Sequence, residues 1–205
     1  MKKIPTLFKR VFDGNNIVDI TPEVTEGCEA VLEGKAVATI KWDGACCAII
    51  NGEFYKRYDA KNGKQPPEGA IPCQENPDPI TGHFPHWVKC DRNNPADKWF
   101  WDAYEITYAM NEEKILHDGT YEAVGKSFQG NPYNLFYNIL IPHGHNIIRF
   151  FLDNSVSFEK IREYLKTHDI EGIVFWLNNE PLCKIKRTDF GFDWKGSGKR
   201  GDISG

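Results

Sequence analysis

Two strand-like runs on either side of Asn51-Gly52 constrain this chain more than any other feature. The first, Val37–Ile50, is apolar almost throughout and reads as a strand. The second, "EFYKRY" from Glu53 to Tyr58, reads as its return, with Arg57 on the returning strand. Asn-Gly is the strongest short hairpin signal, because both residues tolerate the positive φ of a tight turn. A core-bound strand that carries Lys41, Asp43 and Gly44 needs a reason, since a buried lysine is costly unless it is paired or used.

A second hairpin follows near the C-terminal end. "EGIVFWL" (Glu171–Leu177) is a short apolar strand, Asn178-Asn179 suits a tight turn, and "PLCKIK" (Pro181–Lys186) returns. Between the hairpins, residues 59–94 are rich in Pro, Gly, Asn and Asp and read as an extended loop. Asn94-Pro95 then opens a helix, with Asn as cap and Pro in the first turn. Its apolar stripe is Trp99, Ala103, Ile106 and Met110. "TYEAV" (Thr120–Val124) reads as a strand, and Ser157–His168 as a second helix buried through Phe158, Ile161 and Leu165. Residues 1–35 mix strand and turn signals and receive no role. Strands dominate and hairpins outnumber crossovers, so the expected fold class is α+β with mainly antiparallel sheet and two packed helices.

With 205 residues and 40% hydrophobic content, the chain suits one domain with a sizeable core, or one domain plus a small appendage. The formal net charge of −4 does not advertise nucleic-acid binding, but a sum hides local patches. Lys184, Lys186, Arg187, Lys195, Lys199 and Arg200 make the C-terminal end basic. No secretory leader and no membrane-length apolar run is found, so the expectation is a cytoplasmic protein with reduced thiols at its six cysteines. Cys73, His83, His86 and Cys90 are either unrelated loop residues or ligands of a structural zinc.

Side-chain alternation puts Lys41 and Asp43 on one face, with Trp42 opposite, and Gly44 leaves room beside them. Taken alone, this is either an edge lysine paired with an aspartate or a reactive lysine. Lys184 and Lys186 also share a face, with Ile185 on the other. Two like charges there call for a counter-anion such as a polyphosphate, or else guard an exposed edge.

"KWDG" (Lys41–Gly44), "KRYDAKNG" with Arg57, "TYEAVGK" with Glu122, "EGIVFW" with Glu171 and "CKIKR" with Lys184 and Lys186 stand in that order. The set resembles the ordered motifs of the covalent nucleotidyltransferases, which include DNA ligases, RNA ligases and mRNA capping enzymes. "VATIKWDG", "KRYDAKNGKQPPEG", "QGNP", "IPHG" and "CKIKRTDFG" are most similar to small stand-alone 5′-3′ RNA ligases of the vertebrate type and their phage and bacterial relatives.

The resemblance implies a single nucleotidyltransferase (adenylation) domain over 1–205, with motifs in 37–187 and a basic tail at 188–205. It implies ATP as substrate, Mg²⁺ or Mn²⁺ as cofactor, and RNA with 5′-phosphate and 3′-hydroxyl ends as partner. Lys41 would attack the α-phosphorus of ATP to form a lysyl-AMP intermediate. Only the free amine attacks, so nearby positive charge from Lys184, Lys186 and the metal would help by lowering its pKa. Arg57 would contact ribose or the incoming phosphate. Glu122 would hold the ribose and, with Glu171, the metal, while Asp43 would either share that metal environment or orient Lys41. Gly44 would line the nucleotide, and Thr39 with the backbone of Ile40 would read the base edge. Phe128, Tyr137 and Leu140 are candidates for the adenine wall. His143 is either a nucleic-acid contact or a plain turn histidine. Arg187, Lys195, Lys199 and Arg200 are weak candidates for nucleic-acid contact.

The stretch after Lys186 is too short for the oligonucleotide-binding (OB-fold) barrel that follows this motif in DNA ligases and capping enzymes. The expected function is therefore an ATP-dependent RNA ligase. A minimal DNA nick ligase and a non-catalytic nucleotide- or RNA-binding relative are the alternatives.

Overall fold

Eleven strands and two α-helices are distributed over two compact units in the computed structural model, which describes residues 1–14, 16–61, 63–79, 81–152 and 155–196. In chain order the strands begin with β1 (Phe8–Asp13), β2 (Asn16–Val24), β3 (Val37–Lys41) and β4 (Ala45–Ile50). They continue with β5 (Glu53–Ala60), β6 (Ile71–Pro72), β7 (Phe84–Lys89) and β8 (Gly119–Val124). The last are β9 (Ile139–Pro142), β10 (Gly172–Leu177) and β11 (Glu180–Lys186). The helices are α1 (Lys98–Met110) and α2 (Phe158–Thr167). No helix among the described residues is long and apolar enough to cross a membrane.

One unit comprises Met1–Lys3 and Asp43–His143. Its sheet has the order β6-β7-β5-β4-β8-β9, with every pair antiparallel. Cys47, Ile49, Phe54, Tyr121 and Ala123 pack against Phe100, Trp101, Ala103 and Tyr104 of α1. Alternation then sends Cys46, Arg57 and Glu122 to the opposite face.

The other unit comprises Ile4–Trp42 and the chain from Gly144 onward. It holds the β1-β2 hairpin and a three-stranded antiparallel sheet of order β11-β10-β3. Ala38, Ile173, Phe175, Cys183 and Ile185 form the core face, against Ile161 and Leu165 of α2. The opposite face carries Thr39, Lys41, Val174, Lys184 and Lys186.

The fold class is α+β, rich in antiparallel sheet, as the patterning implies. Both turns are as expected: Asn51 and Gly52 have φ of 52° and 75°, and Asn178 and Asn179 have 51° and 63°. The Asn94 side chain accepts the Ala96 N–H at the head of a 3-10 turn, Pro95–Asp97, that leads into α1 at Lys98, and the Ser157 hydroxyl accepts the Lys160 N–H at the start of α2.

Three readings need correction. The run Val37–Ile50 is two strands, because β3 ends at Lys41 and the chain leaves that unit between Trp42 and Asp43. Alternation therefore does not carry from Lys41 to Asp43. The stretch 59–94 contains strands β6 and β7. On α1, Trp99 and Met110 are exposed, and Phe100, Trp101 and Tyr104 join Ala103 at the core, so the buried stripe is rotated from the expected one.

The stretch 1–35, unassigned from sequence, covers an edge. Leu7 N–H donates to the Lys184 carbonyl at 2.8 Å, and Lys184 N–H donates to the Pro5 carbonyl at 3.0 Å. Residues 5–7 thus pair in parallel with β11 and shield its open side.

Candidate functional site

In the second unit, Gly172 of β10 stands in register between Lys41 of β3 and Lys186 of β11. Both lysines therefore rise from one face with no side chain between them. Gly172 is obligatory here, since a Cβ would meet the Ile185 carbonyl oxygen at 2.2 Å. Glu171, buried and just outside the strand, fills the gap: its Oε2 accepts from Lys41 Nζ, and its Oε1 lies 2.5 Å from Lys186 Nζ. A single carboxylate thus bridges two ammonium groups, and a hydrogen-bonded pairing of this kind is what lets charges persist in a partly dry site.

Lys184 lies one pair further along the same face, opposite Val174, which in turn faces Thr39. It makes no ion pair among the described residues. Its pKa is lowered to about 8, first by burial and then by the charges of Lys41 and Lys186. The cluster therefore carries an excess of positive charge over Glu171. At its border, Arg10 pairs with Asp189, whose other oxygen accepts the Lys186 N–H.

Thr39 is buried, and its hydroxyl is engaged twice, donating to the Val174 carbonyl and accepting from Trp176 Nε1. The Ile40 N–H donates to the Asn146 carbonyl. Arg187 donates to the carbonyls of His168 and Asp193, and Lys195 pairs with Asp169. Lys199 and Arg200 lie outside the described residues.

The first unit holds the rest. Glu122 Oε1 accepts the Gly44 N–H at 3.1 Å, and Oε2 lies 3.0 Å from His143 Nε2. The Asp43 N–H donates to Tyr133 Oη at 2.6 Å. Gly44 abuts the β8 backbone, where a Cβ would meet the Ala123 carbonyl oxygen at 2.2 Å. The close approach that this glycine permits is thus to its own neighbouring strand. Cys46 stands directly opposite Glu122, and its thiol is pushed up to about 12 by burial and then by the Glu122 charge. The Arg57 Nε is buried without a hydrogen-bond partner among the described residues. Of the adenine-wall candidates, Phe128 and Leu140 are buried in the core, whereas Tyr137 is exposed.

Among the described residues, Cys73, His83, His86 and Cys90 do not gather as ligands. His83 pairs with Asp59, His86 Nδ1 bonds the Phe84 carbonyl, and Cys90 lies in the core. The one cluster of metal-ligand type found there is Cys46, Glu122 and His143.

No family model matches the chain. It is 26% identical to RNA ligase 1 of Danio rerio and 27% identical to RNA ligase 1 of Rattus norvegicus and of Mus musculus. Each alignment spans 78% of this chain and 68% of the relative. This chain is related to RNA ligase 1. The relationship agrees with the resemblance drawn from its ordered lysine, arginine and glutamate motifs.

Motif reading within this RNA ligase 1 relationship missed several residues that the fold brings in. Arg10 and Asp189 border the lysine cluster, and Tyr133 holds the Asp43 amide. Cys46 is the most telling of them. It lies two residues beyond Gly44, and alternation would have given its face, but only the pairing of β4 with β8 sets it opposite Glu122. Arg10, which lies in the stretch left without a role, offered no local signal.

Proposed function

We propose that this chain is an ATP-dependent RNA ligase that joins 5′-phosphate and 3′-hydroxyl ends through a lysyl-AMP intermediate. The observation that carries the reading is the gathering of Lys41, Lys184 and Lys186 on one sheet face around the single carboxylate of Glu171. These residues are far apart in sequence, and their sum is a positively charged cradle with a nucleophilic amine at one end. The relationship to proteins named RNA ligase 1 supports RNA as the substrate class.

The chemistry follows from the residues. The triphosphate of ATP supplies the anion that the lysines lack, drawing Lys41 and Lys186 from Glu171. The deprotonated Lys41 Nζ attacks the α-phosphorus, the bond to the bridging oxygen breaks, and pyrophosphate leaves. A 5′-phosphate oxygen of the RNA then attacks the same phosphorus, breaking the P–N bond and restoring the lysine. Last, the 3′-hydroxyl oxygen attacks the activated 5′-phosphate, and AMP departs as the phosphodiester forms. Lys184 and Lys186 carry the phosphate charge, and an anion beside Lys184 offsets the burial that depresses its pKa.

Arg57 and Glu122 take the ribose and phosphate roles that the resemblance gives them. The carboxylates of Asp43, Glu122 and Glu171 are the oxygen donors that a hard divalent ion accepts, and would serve Mg²⁺ or Mn²⁺. That ion would screen the phosphates when bound. That these residues belong to a nucleotidyltransferase fold is part of the same proposal.

Incubation with α-labelled ATP and Mg²⁺, without nucleic acid, is expected to label the protein covalently. Lys41→Ala is expected to remove the label. RNA with 5′-phosphate and 3′-hydroxyl ends is then expected to be sealed, and matched DNA ends much less so. A label that persists in Lys41→Ala overturns the nucleophile, and equal sealing of DNA overturns the substrate class. Tight ATP binding without any label would turn the reading toward a non-catalytic relative.

A further inference from the structure

Cys46, Glu122 and His143 come from β4, from β8 and from the residue after β9 to one face of the same sheet. Cys46 is paired with Glu122, and the His143 N–H extends the β8–β9 pairing by donating to the Thr120 carbonyl at 3.0 Å. Their ligand atoms all lie within 4.8 Å of one another, and Nε2 of His143 is 3.0 Å from Glu122 Oε2. A tetrahedral ion with bonds of ~2.0–2.3 Å needs donors about 3.5 Å apart. Side-chain adjustment of roughly 1 Å therefore closes the set, with no change in the strands.

The support around the set is that of a metal site. His143 Nδ1 lies 3.0 Å from Thr120 Oγ1, which orients the ring and leaves Nε2 to face the other donors. A thiol and an imidazole beside one carboxylate disfavour Mg²⁺ and Ca²⁺, which take oxygen, and favour zinc-class ions.

We propose that Cys46, Glu122 and His143 bind one borderline divalent transition-metal ion of the zinc class, leaving a fourth position open. The site stands on its own residues and needs no step of the ligase reaction. It meets that reaction only at Glu122, whose carboxylate the ion takes from its proposed roles toward the ribose and toward Mg²⁺ or Mn²⁺.

Cobalt(II) is the probe, because a cobalt–thiolate bond gives a charge-transfer absorption in the near ultraviolet. The full chain, freed of metal by chelation, is expected to develop this band with one equivalent of Co²⁺, and Zn²⁺ is expected to abolish it. Cys46→Ser is expected to lose the band, and His143→Gln to weaken binding about tenfold or more, with both variants folded by circular dichroism. Cys73→Ser is expected to keep the band. Lys41→Ala, which the ligase reading expects to be inert, is expected to bind cobalt like the wild type, so the two proposals fail separately. No band in the wild type, a band that survives Cys46→Ser, or one lost with Cys73→Ser overturns the site.

Discussion

Glu171 Oε1 lies 2.5 Å from Lys186 Nζ, and the other oxygen of the same carboxylate receives Lys41. Removing that carboxylate leaves two ammonium groups facing each other across Gly172. Glu171→Gln is expected to cost about 3 kcal/mol, the low end for breaking a buried pair, because both lysines keep some contact with water. Urea unfolding at neutral pH measures this, and an unchanged midpoint would count against the bridge as a structural element.

Lys184 leads to a pH dependence. Its folded pKa of about 8 lies below the ordinary lysine value of 10.5. Between these values the unfolded chain holds the proton and the folded chain does not, so stability from this group rises with pH. Below pH 8 the full cost of burying the charge remains, of order 3 kcal/mol at ~1.36 kcal/mol per unit. Lys184→Met is therefore expected to be more stable than the wild type at pH 7, with the gap narrowing toward pH 10. Paired urea titrations across that range give the difference, and a gap independent of pH would refute the assignment.

Gly44 and Gly172 have the same constraint for the same reason. A Cβ at either would lie 2.2 Å from a carbonyl oxygen of the adjacent strand. Gly44→Ala and Gly172→Ala are each expected to lose about 3 kcal/mol, the upper range for overpacking, since a paired backbone cannot step aside as a side chain can. Thermal unfolding of the two variants tests this, and a loss below about 1 kcal/mol would mean that the strands yield.

Asn138 is fully buried and accepts the Ser127 N–H while donating to Asp102 and to the Ser127 hydroxyl. Asn138→Leu keeps the branched shape but strands those partners. The expected loss is about 2–4 kcal/mol, one to two unsatisfied buried groups. Denaturant unfolding is again the measure, and a neutral result would show that water replaces the amide.

Local chemistry made much of this legible. Asn51-Gly52 and Asn178-Asn179 specify turns through their tolerance of positive φ, and Ser157 and Asn94 cap because their side chains reach backbone N–H groups within a few residues. The break at Trp42–Asp43 was not legible, because Val37–Lys41 and Ala45–Ile50 both read as strand and hydrophobicity does not say which sheet a strand joins. On α1, Phe100, Trp101 and Tyr104 are as apolar as Trp99 and Met110, and only the facing sheet chose among them.

The sequence by itself determined the turns, the caps and the alternation that sends Lys184 and Lys186 to one face of a strand, because each depends on covalent neighbours and on the period of two. The tertiary structure alone decided that Lys41 joins them across Gly172, that Glu171 bridges two of the three, that residues 5–7 pair with the backbone of Lys184, and that Cys46 faces Glu122. Those are matters of strand pairing and register. Register is set by the fit of whole faces and by backbone hydrogen bonds between distant segments, which no local stretch encodes.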